Sequence, residues 1–120
     1  MRILISSVQM NIVIGSALAV IMEISVIPIG TDKTSVSEFV AEALKVLRRE
    51  KDIKYELTAM GTIVEGDLDR IFDLAKKMHE VVFNKKVLRV VTIIKIDDRR
   101  DKPLSIDEKI KSVQGKLRKF

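Results

Sequence analysis

Apolar positions recur at two different periods along this chain, and the changes of period mark a succession of strands and helices. Glu23–Ile29 is rich in β-branched residues and is closed by Pro28 and Gly30, which predicts a strand. Ser35-Val36-Ser37-Glu38 has the form of a capping box, where the serine hydroxyl takes the N3 amide and the glutamate reaches back. Val36, Phe39, Val40, Ala43, Leu44 and Leu47 then follow helical spacing to about Arg49. Tyr55–Met60 and Thr62–Glu65 read as short strands joined at Met60-Gly61, a hairpin or bulge where glycine would supply unusual backbone angles. Asp67 is placed to cap a second helix with the stripe Ile71, Leu74, Ala75, Met78 and Val82. Leu88–Asp97 is the longest and most apolar strand. Ser105-Ile106-Asp107-Glu108 repeats the capping-box form and opens a last helix with Ile106, Ile110, Val113 and Leu117 on one face.

The resulting order, β-α-β-β-α-β plus a terminal helix, predicts an α+β, ferredoxin-like sandwich. Both main helices would pack on one face of a four-stranded antiparallel sheet, with the extra helix at the C-terminus. The second face then needs a cover. In the last strand Leu88, Val90, Ile94 and Ile96 point one way and Val91 and Ile93 the other, while in the first Ile24 and Val26 oppose Ile27 and Ile29. A sheet with one wet face should alternate cleanly between apolar and polar. These strands do not, so sheet-to-sheet assembly into a homodimer or homotetramer is expected.

Before the first strand, no residue from Ile3 to Met22 is charged, and Arg2 stands in front. Residues 1–21 are therefore read as an apolar extension outside the single domain 22–120. A start-site artefact with Met22 as the true start, a non-conforming extension, a secretory signal and a membrane anchor all fit this run. Ala17-Leu18-Ala19 has the small-x-small form of a cleavage site, whereas Ser6, Ser7, Gln9, Asn11 and Ser16 dilute the apolar run.

Composition narrows the chemistry. With 120 residues and 47% hydrophobic content the chain builds one domain with a core. It has no cysteine and no tryptophan, and its one histidine is His79. Thiol chemistry, disulfides and Cys-based metal sites are thereby excluded, and a multi-histidine centre is impossible within one chain. The formal charge of +5 is concentrated at the C-terminal end, where Lys95–Phe120 holds nine Lys/Arg against five Asp/Glu. Interleaved acids make a solvated helix face the simple account of it. An RNA-binding domain shares the element order, but its sheet should display aromatics, and the third and fourth strands here offer Ile, Val, Thr and Arg. No nucleophile–base pair, glycine-rich phosphate loop or metal set emerges, so no enzyme is expected. His79 lies one position off the second helix's stripe as a boundary residue, and Asp97 and Asp98, adjacent on a strand, face opposite sides.

Three runs together carry a resemblance. Glu23-Ile24-Ser25-Val26-Ile27-Pro28-Ile29-Gly30, Tyr55–Gly66 (Tyr-Glu-Leu-Thr-Ala-Met-Gly-Thr-Ile-Val-Glu-Gly) and Lys95–Lys102 (Lys-Ile-Asp-Asp-Arg-Arg-Asp-Lys) resemble, in this order and spacing, the small thiamine-binding, YkoF-like family. The match runs from about Met22 to Leu117, with alanine at position 59 where proline is commoner in the family. The resemblance implies a cytoplasmic, ferredoxin-like oligomer that binds thiamine or its hydroxymethylpyrimidine part without established catalysis. No further cofactor, no nucleic acid and no membrane partner are implied.

Such a ligand presents ring-nitrogen acceptors, an amine donor and a cationic thiazolium, best met by hydroxyls, a carboxylate and an apolar pocket. The expected pocket lies between the sheet and the first helix. Ser25, Thr58, Thr62 and Thr92 lie on or beside the strands, and Ser35 and Ser37 lie at the helix N-terminus. Thr62 and Ser37 would read the pyrimidine, Glu65 would meet the amine or cation, and Met60 and Phe39 would form walls. Arg99 and Arg100 would hold a phosphate or join intersubunit ion pairs with Asp97, Asp98 and Asp101. No metal site is expected. A structural or regulatory oligomer sensing another small metabolite is the alternative function.

Overall fold

The structure, a computed structural model, describes residues 18–119. Its strands are β1 (Val20–Ile29), β2 (Lys54–Leu57), β3 (Thr62–Gly66) and β4 (Arg89–Asp97). Its helices are α1 (Ser37–Arg48), α2 (Leu68–Val81) and α3 (Ile106–Leu117), with a 3-10 turn at Val82–Lys85. The strands form one antiparallel sheet in the order β2-β3-β1-β4, the ferredoxin-like arrangement. The readings of the N-terminal run as signal, anchor or start-site artefact fall on residues 1–17 and lie outside the described residues. Val20 and Ile21, read as the end of that extension, are part of β1, paired with Gly66 and Glu65 of β3. No helix among the described residues is long and apolar enough to cross a membrane.

Strand alternation decides the core. Val20, Met22, Ile24 and Val26 of β1 and Val64 of β3 point to the helices and are buried. Phe39, Ala43 and Leu47 of α1 and Ile71, Leu74, Ala75 and Met78 of α2 close over them, the stripes that helical spacing requires. Each large side chain sealed in this layer stabilises the fold by about 1.5–3 kcal/mol.

The other face is covered at one end. Leu104 and Ile106 pack on Ile21 and Ile63, and the Ile106 N–H donates to Glu65 Oε1 at 2.8 Å. Lys54 reaches Asp107 at 2.6 Å, and Lys109 reaches Asp97 at 2.7 Å. Beyond α3 the face stays open, with Ile27, Ile29, Val91 and Ile93 exposed, Ile93 to 58%. The α3 stripe residues Ile110, Val113 and Leu117 are also exposed. Leu88 precedes β4 and is 96% exposed, so it joins neither row.

The caps differ between helices. Ser105 Oγ accepts from the Glu108 N–H at 3.1 Å and Asp67 Oδ2 from the Arg70 N–H at 3.4 Å, as read from sequence. At α1 the N-cap is Val36, and Ser35 Oγ accepts from the Ser37 N–H at 3.3 Å instead of from Glu38. Glu38 turns to Lys33, 3.3 Å away.

Residues 58–61 form a turn, not strand ends. Thr58 Oγ1 donates to the Gly61 carbonyl at 2.8 Å and accepts from the Met60 and Gly61 amides, so its side chain organises the reversal. Gly61 does not use a left-handed backbone; among the described glycines that conformation belongs to Gly30, at φ +82. Gly61 is needed for close approach: a Cβ there would lie 3.0 Å from Ser25 Oγ and 3.1 Å from the Ile24 carbonyl oxygen. Gly61→Ala is therefore expected to destabilise the fold by about 1–3 kcal/mol. At Gly66 a Cβ would lie 2.7 Å from the terminal Cδ1 of Ile53 and in ordinary contact with Ile71, so Gly66→Ala, which asks only a side-chain end to shift, should cost less; urea denaturation midpoints of both variants check the contrast.

Candidate ligand-binding site

β1 and β3 have different lengths, and a cavity follows from the difference. Pairing between them ends at Ile24 opposite Thr62, yet β1 continues to Ile29 alongside β4. The 58–61 turn bends away, and the chain after Gly30 returns as α1. A cavity of about 640 Å³ remains between β1, the turn and the α1 N-terminus. That volume suits a small organic molecule. Val26, Val36, Val40, Leu44, Leu57 and Met78 supply apolar lining, and among the described residues no charged side chain lines it.

Ser25, Ser35, Ser37, Thr58, Met60 and Thr62 are brought together along this cavity. Thr62 is buried, and Met60 at the turn is 83% exposed. Phe39, Glu65 and Thr92 are not among the lining residues. Phe39 faces the core, because the helical stripe that buries Ala43 and Leu47 carries it along. Glu65 stands at odd spacing from Thr62 on one strand, so it emerges on the opposite face, where it holds the start of α3. Thr92 Oγ1 lies 2.6 Å from His79 Nδ1, and the His79 ring meets Phe83 edge-on at 5.6 Å. This contact gives His79 a place in joining α2 to β4.

Several lining hydroxyls already serve the fold. Ser25 Oγ donates to the Met60 carbonyl at 3.0 Å, tying the turn to β1. Ser35 Oγ and Ser37 Oγ lie 3.1 Å apart, and Thr58 is committed within the turn. The helical spacing puts Val36, Val40 and Leu44 on the apolar stripe of α1, and the structure sets all three against the cavity expected beside that helix. Their exposure to it follows from β1 running on past Ile24, the partner of the first β3 residue, Thr62. Thr34 was missed altogether and carries no distinguishing signal.

Arg99 and Arg100 stand apart from this cavity. Arg99 Nη2 contacts Asp101 Oδ2 at 2.8 Å, and Arg100 Nη2 contacts Asp98 Oδ2 at 2.7 Å, each as a two-pronged pair within the chain. Both pairs are solvent-facing, and each guanidinium is engaged by its neighbour two residues away. The hydrogen bond from Arg99 holds the Asp101 carboxyl at about 2, and that from Arg100 keeps Asp98 below the usual carboxylate range. No group of three or more His, Asp or Glu that could hold a metal ion occurs among the described residues. Because the folded-state value of Asp101 is depressed, its tie to Arg99 is present above the ordinary aspartate range and is lost as pH falls through about 2. A carboxyl-resolved NMR titration should place Asp101 there, and Arg99→Gln should return it to the ordinary range.

Comparison with known proteins places these features in a wider set. A family model described as thiamine-binding protein matches residues 22–114. The UPF0045 protein encoded in the glkA 3' region of Staphylococcus xylosus is 45% identical over 100 residues, covering 81% of this chain and 94% of the relative. UPF0045 protein YqgV of Bacillus subtilis is likewise 45% identical, covering 81% and 96%. A crystal structure of a hypothetical protein from Methanocaldococcus jannaschii superposes with TM-score 0.74 at 44% identity, over 80% of this chain and 96% of that one. A Thermotoga maritima protein named for thiamine biosynthesis or salvage superposes with TM-score 0.67 over 79% and 98%; at 24% identity that likeness speaks for the fold alone.

Proposed function

The chain belongs to the thiamine-binding protein family, and on that premise we propose that it binds thiamine or its hydroxymethylpyrimidine part in the cavity between β1 and α1, without catalysing a reaction. The observation that carries this reading is a pocket of small-molecule size, with apolar walls and hydroxyls but no charge. A flat aminopyrimidine needs apolar surface on its faces and hydrogen-bonding groups at its rim. Thr62 is the buried hydroxyl residue of the lining, the first residue of β3, and it reads that rim.

The absence of charge from the lining also ranks the ligands. A thiazolium cation finds no carboxylate there, since Glu65 is engaged on the far face of the sheet. A diphosphate finds no free cation in the lining, and Arg99 and Arg100 are paired elsewhere. The neutral pyrimidine is the best match, with thiamine held by the same half of the molecule and its thiazolium left towards water. The protein in this reading is a cytoplasmic homodimer or homotetramer, joined through the open sheet faces, that takes a small molecule and no nucleic acid.

Isothermal titration with hydroxymethylpyrimidine, thiamine and thiamine diphosphate in parallel tests the reading. Binding of the first two is expected, with the diphosphate no tighter than thiamine. Thr62→Val should weaken pyrimidine binding about 10-fold, the worth of one hydrogen bond to a polar ligand. No heat and no change of melting temperature with any of them at millimolar concentration would contradict it and leave an oligomer responding to another metabolite.

A further inference from the structure

The main chain at Val26 has a direction that the register determines. Ile24 and Thr62 are opposed, and the Ile24 carbonyl oxygen lies 3.1 Å from the place a Cβ on Gly61 would take, so Ile24 turns its backbone groups toward β3. Pro28 stands opposite Val90 of β4 inside the same strand. Proline has no N–H, so a strand accepts it where that side of the residue faces away from a bonded neighbour. Residues 24, 26 and 28 share one parity, and both markers therefore put the Val26 N–H and C=O on the side away from β4.

On that side β3 has already ended. Val26 is 8% exposed and lines the cavity, and the turn beside it spends its hydrogen bonds on itself and on Ser25. The register leaves this amide and carbonyl no partner on β3, and no turn or loop backbone bond among the described residues reaches them. Backbone groups left without partners away from bulk water are unfavourable, and a ligand or water removes that penalty by bonding there. The neighbouring hydroxyls of Ser25, Ser35, Ser37 and Thr58 are engaged within the fold, so they are less free to supply a rim contact.

We infer that the cavity recognises its heterocycle as if it were the missing strand residue beside Val26. The ring amine donates to the Val26 carbonyl, and the adjacent ring nitrogen accepts from the Val26 N–H. The chemical class this selects is a neutral planar ring bearing an amine next to a ring nitrogen, which presents a donor and an acceptor side by side. The inference rests on the cavity being the pyrimidine site, and it adds that specificity comes from main-chain groups of β1 more than from side chains. A side-chain scan of the cavity would then lower affinity without abolishing discrimination between aminated and deaminated rings.

Amide-resolved NMR of the full chain, combined with calorimetry, tests this. The probes are hydroxymethylpyrimidine and its analogue lacking the ring amine. On saturation with the first, the Val26 amide should show the largest shift in β1, and its hydrogen exchange should slow about 10-fold or more, as expected for a newly bonded amide. The analogue should bind about 10-fold more weakly or worse, having lost the donor to a buried carbonyl. Calorimetric binding with the Val26 amide unmoved, or equal affinity for both probes, would overturn the inference while leaving the pyrimidine reading intact. Absence of binding by calorimetry would remove that reading and this inference with it.

Discussion

Strand β1 carries apolar side chains on both of its faces, and most of the architecture follows from how they are covered. One row, Val20, Met22, Ile24 and Val26, is sealed by α1 and α2. The opposite row starts with Ile21, passes Glu23, which pairs with Lys95, and Ser25, and turns apolar again at Ile27 and Ile29 beside Val91 and Ile93 of β4. Leu104 and Ile106 close over Ile21, and the bond from the Ile106 N–H to Glu65 fixes where α3 starts. The rest of that row is left to water in a single chain, which is unusual for a contiguous apolar patch on a stable monomer. A second copy laid face to face removes that patch at no cost in new sequence, since a two-fold contact uses the same surface twice.

The same strand also creates the cavity. β1 outlasts its partner β3, and the space beyond Thr62 is roofed by α1 and walled by the 58–61 turn. Gly61 lets the turn lie close against β1, and Ser25 ties the Met60 carbonyl to it. The cavity is in this sense a by-product of unequal strand lengths held in a fixed geometry. Apolar walls and the edge of β1 beyond β3 are the features on which the proposed recognition of an aminated ring rests.

Much of this was legible in the sequence because the patterns are local. The helical stripes through Phe39, Ala43 and Leu47 and through Ile71, Leu74 and Met78 announce which faces are buried. The apolar runs in both Ile24–Ile29 and Val90–Ile96 announce a two-sided sheet. The polar details were less legible, because they depend on neighbours distant in the chain. Glu65 was read as a ligand contact, but strand parity sends it to α3, forty-one residues later in sequence. Thr92 was read the same way and is met by His79. Thr58 was read as a strand residue, but its hydroxyl has backbone partners within the next three positions and ends the strand instead. The α1 cap differs for a similar reason: Ser35 and Ser37 engage each other, leaving Val36 as the first half-helical residue.

The claim on which the account turns is that the open face of β1 and β4 is covered by another copy of the chain. Light scattering coupled to size exclusion, run over a range of concentrations, measures this directly. An assembly joined through this face has a mass that is an even multiple of the 13.6 kDa chain, and Ile93→Lys, which puts a charge in the patch, lowers it to the single-chain mass. A wild-type chain that remains at 13.6 kDa at every concentration, folded and with Ile93 in water, would contradict it.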